Sequence, residues 1–193
     1  GVDHLTNAAR QSQVYAACGW KTPKFAHIPL VHGGDGAKLS KRHGAQGVEE
    51  FRAMGYLPAA LRNYLARLAW SHGDDEIFST EQAVEWFDVV DINKAPARFD
   101  FAKLADLNGH YIRAMSLTEL AARVRPFLER AGIVPNDPPL EAVLPLIHER
   151  LKRLTDVVPM VGYLFSDGVE IDPVAAEKVL ATADSQRALA AAQ

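Results

Sequence analysis

Cysteine is almost absent: Cys18 is the single one in 193 residues. One thiol builds neither an intrachain disulfide framework nor a thiolate zinc site, and the expected compartment is a reducing cytoplasm. The seven histidines are scattered, without the i, i+4 pair and neighbouring carboxylate of a helical zinc site, so no protein-held transition metal is expected. No apolar run approaches the roughly 20 residues that cross a bilayer, and the first residues lack a basic-then-apolar signal pattern. No membrane partner is expected. An excess of positive charge is lacking as well, since the formal charge is −3. That excludes a chain basic all over, but leaves room for a local basic face that binds nucleic acid. There is no internal repeat, and the only low-complexity tract is the Ala-rich end from Ala188 to Ala192. Gly1-Val2-Asp3-His4 has no initiator Met and reads as if it began in mid-fold.

What remains is an ordinary globular composition, 48% hydrophobic and 23% charged, enough for one or two domains with a real core. Its most unusual stretch runs from Gly33 to Gly44 and packs four glycines and three Lys/Arg cations into twelve residues after an apolar run. Glycine lets backbone approach a ligand closely, and lysine brings positive charge without a rigid fork. A Walker-type phosphate loop is excluded by register: five residues after Gly33 stands Lys38 where that motif needs Gly.

The rest reads as helix. Thr6 or Asn7 is a candidate cap for a helix to about Cys18, stopped at Gly19. Phe25 to Val31 reads as a short strand, with Pro29 confining it to an edge or an end. Asp35-Gly36 forms a turn into the basic loop. A short helix from Val48 to Met54 ends at Gly55, and Pro58 opens another to about Trp70. Ser71 to Asp75 is loop; Ser79-Thr80-Glu81-Gln82 and Ser116-Leu117-Thr118-Glu119 are capping boxes, the second opening a helix that closes at Gly132. Between them Asp91 to Ala97 breaks the pattern and a helix runs from about Phe101 to Ile112. Pro135 to Pro139 is the most linker-like point. Helices are expected from about Leu140 to Leu154 and from Pro173 to Ala183, the latter capped by Asp172. The fold class is therefore mainly α, and a single strand cannot form a sheet alone.

Lys38-Leu39-Ser40-Lys41-Arg42 resembles the Lys-Met-Ser-Lys-Ser signature of class I aminoacyl-tRNA synthetases, in the form used by the bacterial glutamyl-tRNA synthetases. The likeness extends over Phe25 to Leu30, Gly47 to Leu65, Phe99-Asp100-Phe101 and Leu107 to Arg113, then fades toward the end. Leu39 in place of Met and Arg42 in place of Ser are departures familiar in the glutamyl enzymes. The resemblance implies an internal piece of such an enzyme. Residues 1–56 would be the C-terminal remnant of a Rossmann-type catalytic domain, 57–115 a helical stem-contact region, and 116–193 the start of a helical anticodon-binding region. The first half of the catalytic domain and its missing strands would lie upstream.

The implied activity is ligation of L-glutamate to tRNA(Glu) through glutamyl-adenylate, with ATP and its Mg²⁺, by a monomeric full-length enzyme; the piece alone is expected to be inactive. Lys38, Ser40 and Lys41 are the implied catalytic residues: two ammonium groups and a hydroxyl around a triphosphate, with Lys41 carrying most of the charge stabilisation. Arg42 is a candidate phosphate contact. By the same resemblance His4 and Asn7 line the ATP and amino-acid pocket, and the backbone around Ile28 meets the adenine. Asp3 is expected to hold backbone, and His27 to be a satisfied core histidine. Arg62, Arg67, Lys94, Arg98, Lys103 and Arg113 are the implied contacts to the tRNA stem and inner corner, although any single one also fits the solvated face of a helix. The loop from Gly33 to Gly44 is expected to move without ligand and to order around ATP. Phe99, Phe101, Tyr111, Trp70 and Trp86 are expected in the core rather than as stacking platforms. Two other readings stay open: a non-catalytic tRNA-binding helical module, and a helical protein-interaction bundle whose basic loop is incidental.

Overall fold

The computed structural model describes residues 1–40, 47–166 and 173–191. Within them helices dominate, in the order α1 (Leu5–Ala17), β1 (Val31–His32), α2 (Val48–Ala53), α3 (Pro58–Ala69), α4 (Thr80–Trp86), β2 (Ala97–Arg98), α5 (Phe101–Arg113), α6 (Leu117–Arg130), α7 (Leu140–Val143), α8 (Val157–Val161), α9 (Pro173–Leu180) and α10 (Ala183–Ala191). β1 and β2 pair in parallel, Val31 opposite Ala97 and His32 opposite Arg98.

Local chemistry sets most of these boundaries. Ser79 and Gln82 close a reciprocal capping box at α4. Asp100 caps α5 by accepting from the amides of Ala102 and Lys103. At α6 only half of the expected box forms: Ser116 accepts from the Glu119 amide at 3.2 Å, while the Glu119 carboxylate turns to Arg123 at 2.9 Å. Pro58 opens α3, whose first turn has no use for its missing N–H.

Two apolar clusters hold the elements together. The larger joins Leu57 and Ala60 of the α3 start, Ile112 of α5, the Leu120–Val124–Leu128 stripe of α6, and a run of buried residues from Leu140 to Val161. The smaller packs Phe51, Tyr56, Leu61, Tyr64, Phe99 and Leu104. Tyr64 ties α3 to the α5 cap, its hydroxyl donating to the Asp100 carbonyl at 3.0 Å and accepting from the Asp100 amide at 2.6 Å. Phe99 and Trp70 are buried as expected, and Phe101, Tyr111 and Trp86 are half-buried.

Three expectations need correction. Thr6 and Asn7 do not cap α1: a 3₁₀ turn at Val2–His4 runs straight into it, with no side-chain cap. The strand expected from Phe25 to Val31 shrinks to Val31–His32, because Pro29 has no N–H to donate and the Ile28 carbonyl is taken by the Val2 amide at 3.0 Å. The helix expected from Leu140 to Leu154 is broken into α7 and 3₁₀ turns at Leu144–Leu146, His148–Arg150 and Leu154–Asp156. Pro145 cannot donate to the Glu141 carbonyl and its ring crowds it, so α7 stops at Val143. The Pro135–Pro139 run is loop, as its composition suggests, although Leu128 before it and Leu140 after it share one cluster. The Asp172 cap lies outside the described residues.

Candidate functional site

The basic loop begins as a tight hairpin. Gly36 adopts φ +77°, open to glycine and strained for other residues. Asp35 fixes the turn by accepting from the Ala37 amide at 2.9 Å. The Gly33 amide donates to the Ala37 carbonyl at 2.8 Å and the Leu39 amide to the Val31 carbonyl at 2.9 Å. His32 and Lys38 thereby form an antiparallel bridge. The stretch 33–39 is thus tied back by main-chain bonds; Lys41, Arg42, His43 and Gly44 lie outside the described residues.

This hairpin aims Lys38 at the N-terminal turn. Its Nζ donates to Asp3 Oδ2 at 2.5 Å, with the Gly1 amino group 3.5 Å from Asp3 Oδ1 and His4 Nε2 3.9 Å from Oδ2. Asn7 Nδ2 lies 3.0 Å from His4 Nδ1, and His27 Nδ1 lies 3.3 Å from the Gly1 carbonyl oxygen. Four of the sequence-derived candidates therefore meet around one turn, His4, Asn7, Ile28 through its carbonyl and Lys38, and His27 joins them there. His27 is not the satisfied histidine expected, because its buried Nε2 has no hydrogen-bond partner among the described residues. Asp3 is corrected too: its carboxylate holds the Lys38 ammonium rather than backbone. Nothing in the sequence signals a pairing across 35 residues.

The hydrogen bond from Lys38, with its charge, holds the Asp3 carboxyl below its ordinary range. A depressed carboxylate pKa means that the pairing contributes above the ordinary Asp range and is lost as pH falls through the lowered value. Lys38→Ala should therefore move the Asp3 titration midpoint upward, read by carboxylate carbon chemical shifts; an unmoved midpoint would exclude the pairing.

A second site adjoins the first through the β1–β2 pairing. A cleft of about 610 Å³ opens between α3, β2 and α5 and is lined by Arg67, Arg98, Lys103, His110 and Arg113, with Glu76 and Asp106 as the acidic groups. On α5, Lys103, Asp106, His110 and Arg113 follow the 3–4–3 spacing that puts side chains on one helical face. Both acidic groups are engaged: Glu76 with Arg67 at 2.8 Å and Asp106 with Lys152 at 2.7 Å. Arg98, Lys103 and Arg113 make no ion pair among the described residues. Arg98 also lines a smaller cleft of about 440 Å³ with Gly33, Gly34 and Leu39 of the basic loop. Four of the six cations singled out in the sequence thus share one cleft. Arg62 instead donates to Thr80 Oγ1 at 3.1 Å beside a separate apolar cavity, and Lys94 lines none of these cavities.

Comparison with known proteins adds the following. The family model described as tRNA synthetases class I (E and Q), catalytic domain, matches residues 1–106, and one described as an anticodon binding domain matches residues 119–193. The chain is 58% identical to a protein named glutamate–tRNA ligase 2 from Parvibaculum lavamentivorans, over 81% of this chain and 33% of that protein. It is 50% identical to a glutamate–tRNA ligase from Azorhizobium caulinodans, over 99% of this chain and 42% of that protein. The chain therefore spans well under half the length of these curated relatives. Among solved structures, a glutamate tRNA ligase from Elizabethkingia meningosepticum in complex with its amino acid superposes with a TM-score of 0.75 at 28% identity, covering 93% of this chain and 39% of that one. A glutamate–tRNA synthetase from Elizabethkingia anophelis gives 0.75 at 26% identity, covering 100% and 46%.

Proposed function

Because the chain belongs to the class I tRNA synthetases (E and Q), we propose that it is the central part of a glutamate–tRNA ligase, which joins glutamate to ATP as glutamyl-adenylate and then transfers it to the terminal ribose of tRNA(Glu). The single observation that carries this reading is the β1–β2 pairing. It sets the basic loop against the cationic cleft, with Arg98 lining the cavities on both sides. One element would then hold the triphosphate while its neighbour holds the RNA backbone whose end must reach the same place.

In the first step the glutamate carboxylate attacks the α-phosphorus and pyrophosphate leaves with its electron pair. Lys41, with Lys38 and Ser40, would meet the developing negative charge, the kind of contact that is worth most when it is already in place. Lys38 has an anionic partner in Asp3 before ATP arrives, so a phosphate oxygen would replace a carboxylate oxygen rather than water. His4, Asn7 and the backbone at Ile28 would line the ATP and amino-acid pocket, and Arg42 would add a phosphate contact. Among the described residues no cluster of three His, Cys, Asp or Glu side chains is placed to hold a metal ion; Mg²⁺ would arrive with ATP on its phosphate oxygens. No described helix is long and apolar enough to cross a membrane, and we place the protein in the cytoplasm as a monomer in its full-length form. We further propose the division into catalytic remnant (1–56), stem-contact region (57–115) and anticodon-binding region (116–193).

The test uses the cleft. Phosphate contacts release counterions, so each one lost weakens binding and flattens its salt dependence, the log–log slope falling by about 1 per contact. For the 193-residue chain, tRNA anisotropy titrations over several salt concentrations should show weaker binding and a shallower slope for Lys103→Ala and for Arg113→Ala. Slopes unchanged in both cleft variants would sink the assignment.

A further inference from the structure

Helix α2 begins seven residues after Lys41, and little of its own surface fixes it. Of its six residues only Phe51 is buried, and Val48 is 71% exposed. Its C-terminal end, by contrast, is fastened by main-chain groups. The Met54 carbonyl accepts from Thr155 Oγ1 at 3.0 Å, and the Gly55 carbonyl accepts from the Leu154 amide at 3.0 Å.

Asn108 of α5 completes the joint. It is fully buried, its Oδ1 accepts from the Leu57 amide at 2.7 Å, and its Nδ2 donates to the Lys152 carbonyl at 2.6 Å and, more weakly, to the Gly55 carbonyl at 3.4 Å. One carboxamide therefore clamps the Gly55–Leu57 turn to the 152–155 segment. The approach is too close for any side chain at residue 55: Gly55 has φ +86°, and a Cβ there would stand 2.7 Å from the Thr155 nitrogen and 2.8 Å from the Leu154 nitrogen.

We propose that Asn108 and Thr155 are positioning residues for the basic loop: they set the end of α2, whose Phe51 belongs to the apolar cluster that Leu39 packs against, and so fix the base of the loop on which Lys38 stands. The assignment rests on the synthetase reading for its kinetic consequence, but its structural consequence does not. The buried Leu57 amide is satisfied here by a side chain rather than by a helix or sheet ladder, so the register of the turn against the 152–155 segment depends on that side chain. Asn108 and Thr155 touch no reacting atom and act only through the Met54–Leu57 backbone.

Two measurements test this. In the 193-residue chain, Thr155→Val removes the hydroxyl with little change of shape. It should speed amide exchange at Met54, Gly55 and Tyr56 by about five- to tenfold while leaving Leu120 to Leu128 of α6 unchanged, and Thr155→Ser should restore protection. Asn108→Ala should do the same more strongly; if it fails to fold, the Thr155 pair decides. In the full-length protein, Thr155→Val should lower kcat for adenylate formation about fivefold with KM for ATP within about twofold, and Thr155→Ser should recover it. Uniform loss of protection across α2 and α6, or an unchanged Met54–Tyr56 exchange with Thr155→Val, overturns the proposal. Selective exchange without any adenylation in the unsubstituted protein would leave the joint standing and remove the synthetase reading instead.

Discussion

Lys41→Ala, introduced into the full-length protein, should slow glutamyl-adenylate formation about 100-fold, near 3 kcal/mol in the barrier, while changing the dissociation constant of ATP only a few-fold. The argument is one of timing. Ground-state ATP is already paired with Mg²⁺ and other donors, so one more cation adds little. As the α–β bond breaks, negative charge moves onto the leaving pyrophosphate, and a lysine already in place then gains most. Lys41 lies outside the described residues, and its role rests on the resemblance of Lys38 to Arg42 and of the flanking segments. Lys38, by contrast, is engaged by Asp3, so the two lysines of the motif would not be interchangeable. The measurement is presteady-state adenylation with tRNA present. Equal losses in ATP binding and in rate would remove Lys41 from this part.

The helical framework was legible wherever a local signal decides the conformation. Ser79 with Gln82, Gly55 after α2, Pro58 at α3 and Gly132 after α6 each act within a few residues, and each stands where its chemistry requires. The failures share a physical cause. The strand expected over Phe25 to Val31 needed partners, and β1 finds its partner strand in β2, more than sixty residues away. Leu140 to Leu154 has helical apolar spacing, yet Pro145 breaks it and the core accepts the fragments because Leu140, Val143, Leu144 and Ile147 remain buried. In the site, charge was legible and pairing was not. The cations of the cleft could be selected from the sequence, but Arg67, Arg98, Lys103 and Arg113 meet only through β2 and the crossing of α3 on α5. The Asp3–Lys38 pair and the Asn108 joint were hidden for the same reason: they are contacts between segments far apart in sequence.

Amide exchange along the 193-residue chain should differ between α6 and α1 on the order of a thousand-fold or more. Leu120, Val124 and Leu128 are fully buried in the larger cluster, so their amides open only when that cluster unfolds. α1 buries Ala8 alone, while Leu5, Val14 and Trp20 are 62%, 57% and 63% exposed. A helix of thirteen residues with so little tertiary packing has only its marginal intrinsic stability. Among the described residues its polar links to the remainder are the main-chain bond from Val2 to Ile28, the contact of His27 with the Gly1 carbonyl and the Lys38–Asp3 pair, few in number and, for the charged pair at the surface, weak. Opening α1 therefore costs the larger cluster nothing, and its exchange should be governed by local fraying rather than by global unfolding. Exposed apolar side chains at Val2, Leu5, Val14, Trp20, Phe25 and Ile28 add a concentration dependence, since a second copy can cover them. Protection of α1 equal to that of α6 at the lowest protein concentration would mean that the first thirty residues carry a core of their own, and this account of their stability would be wrong.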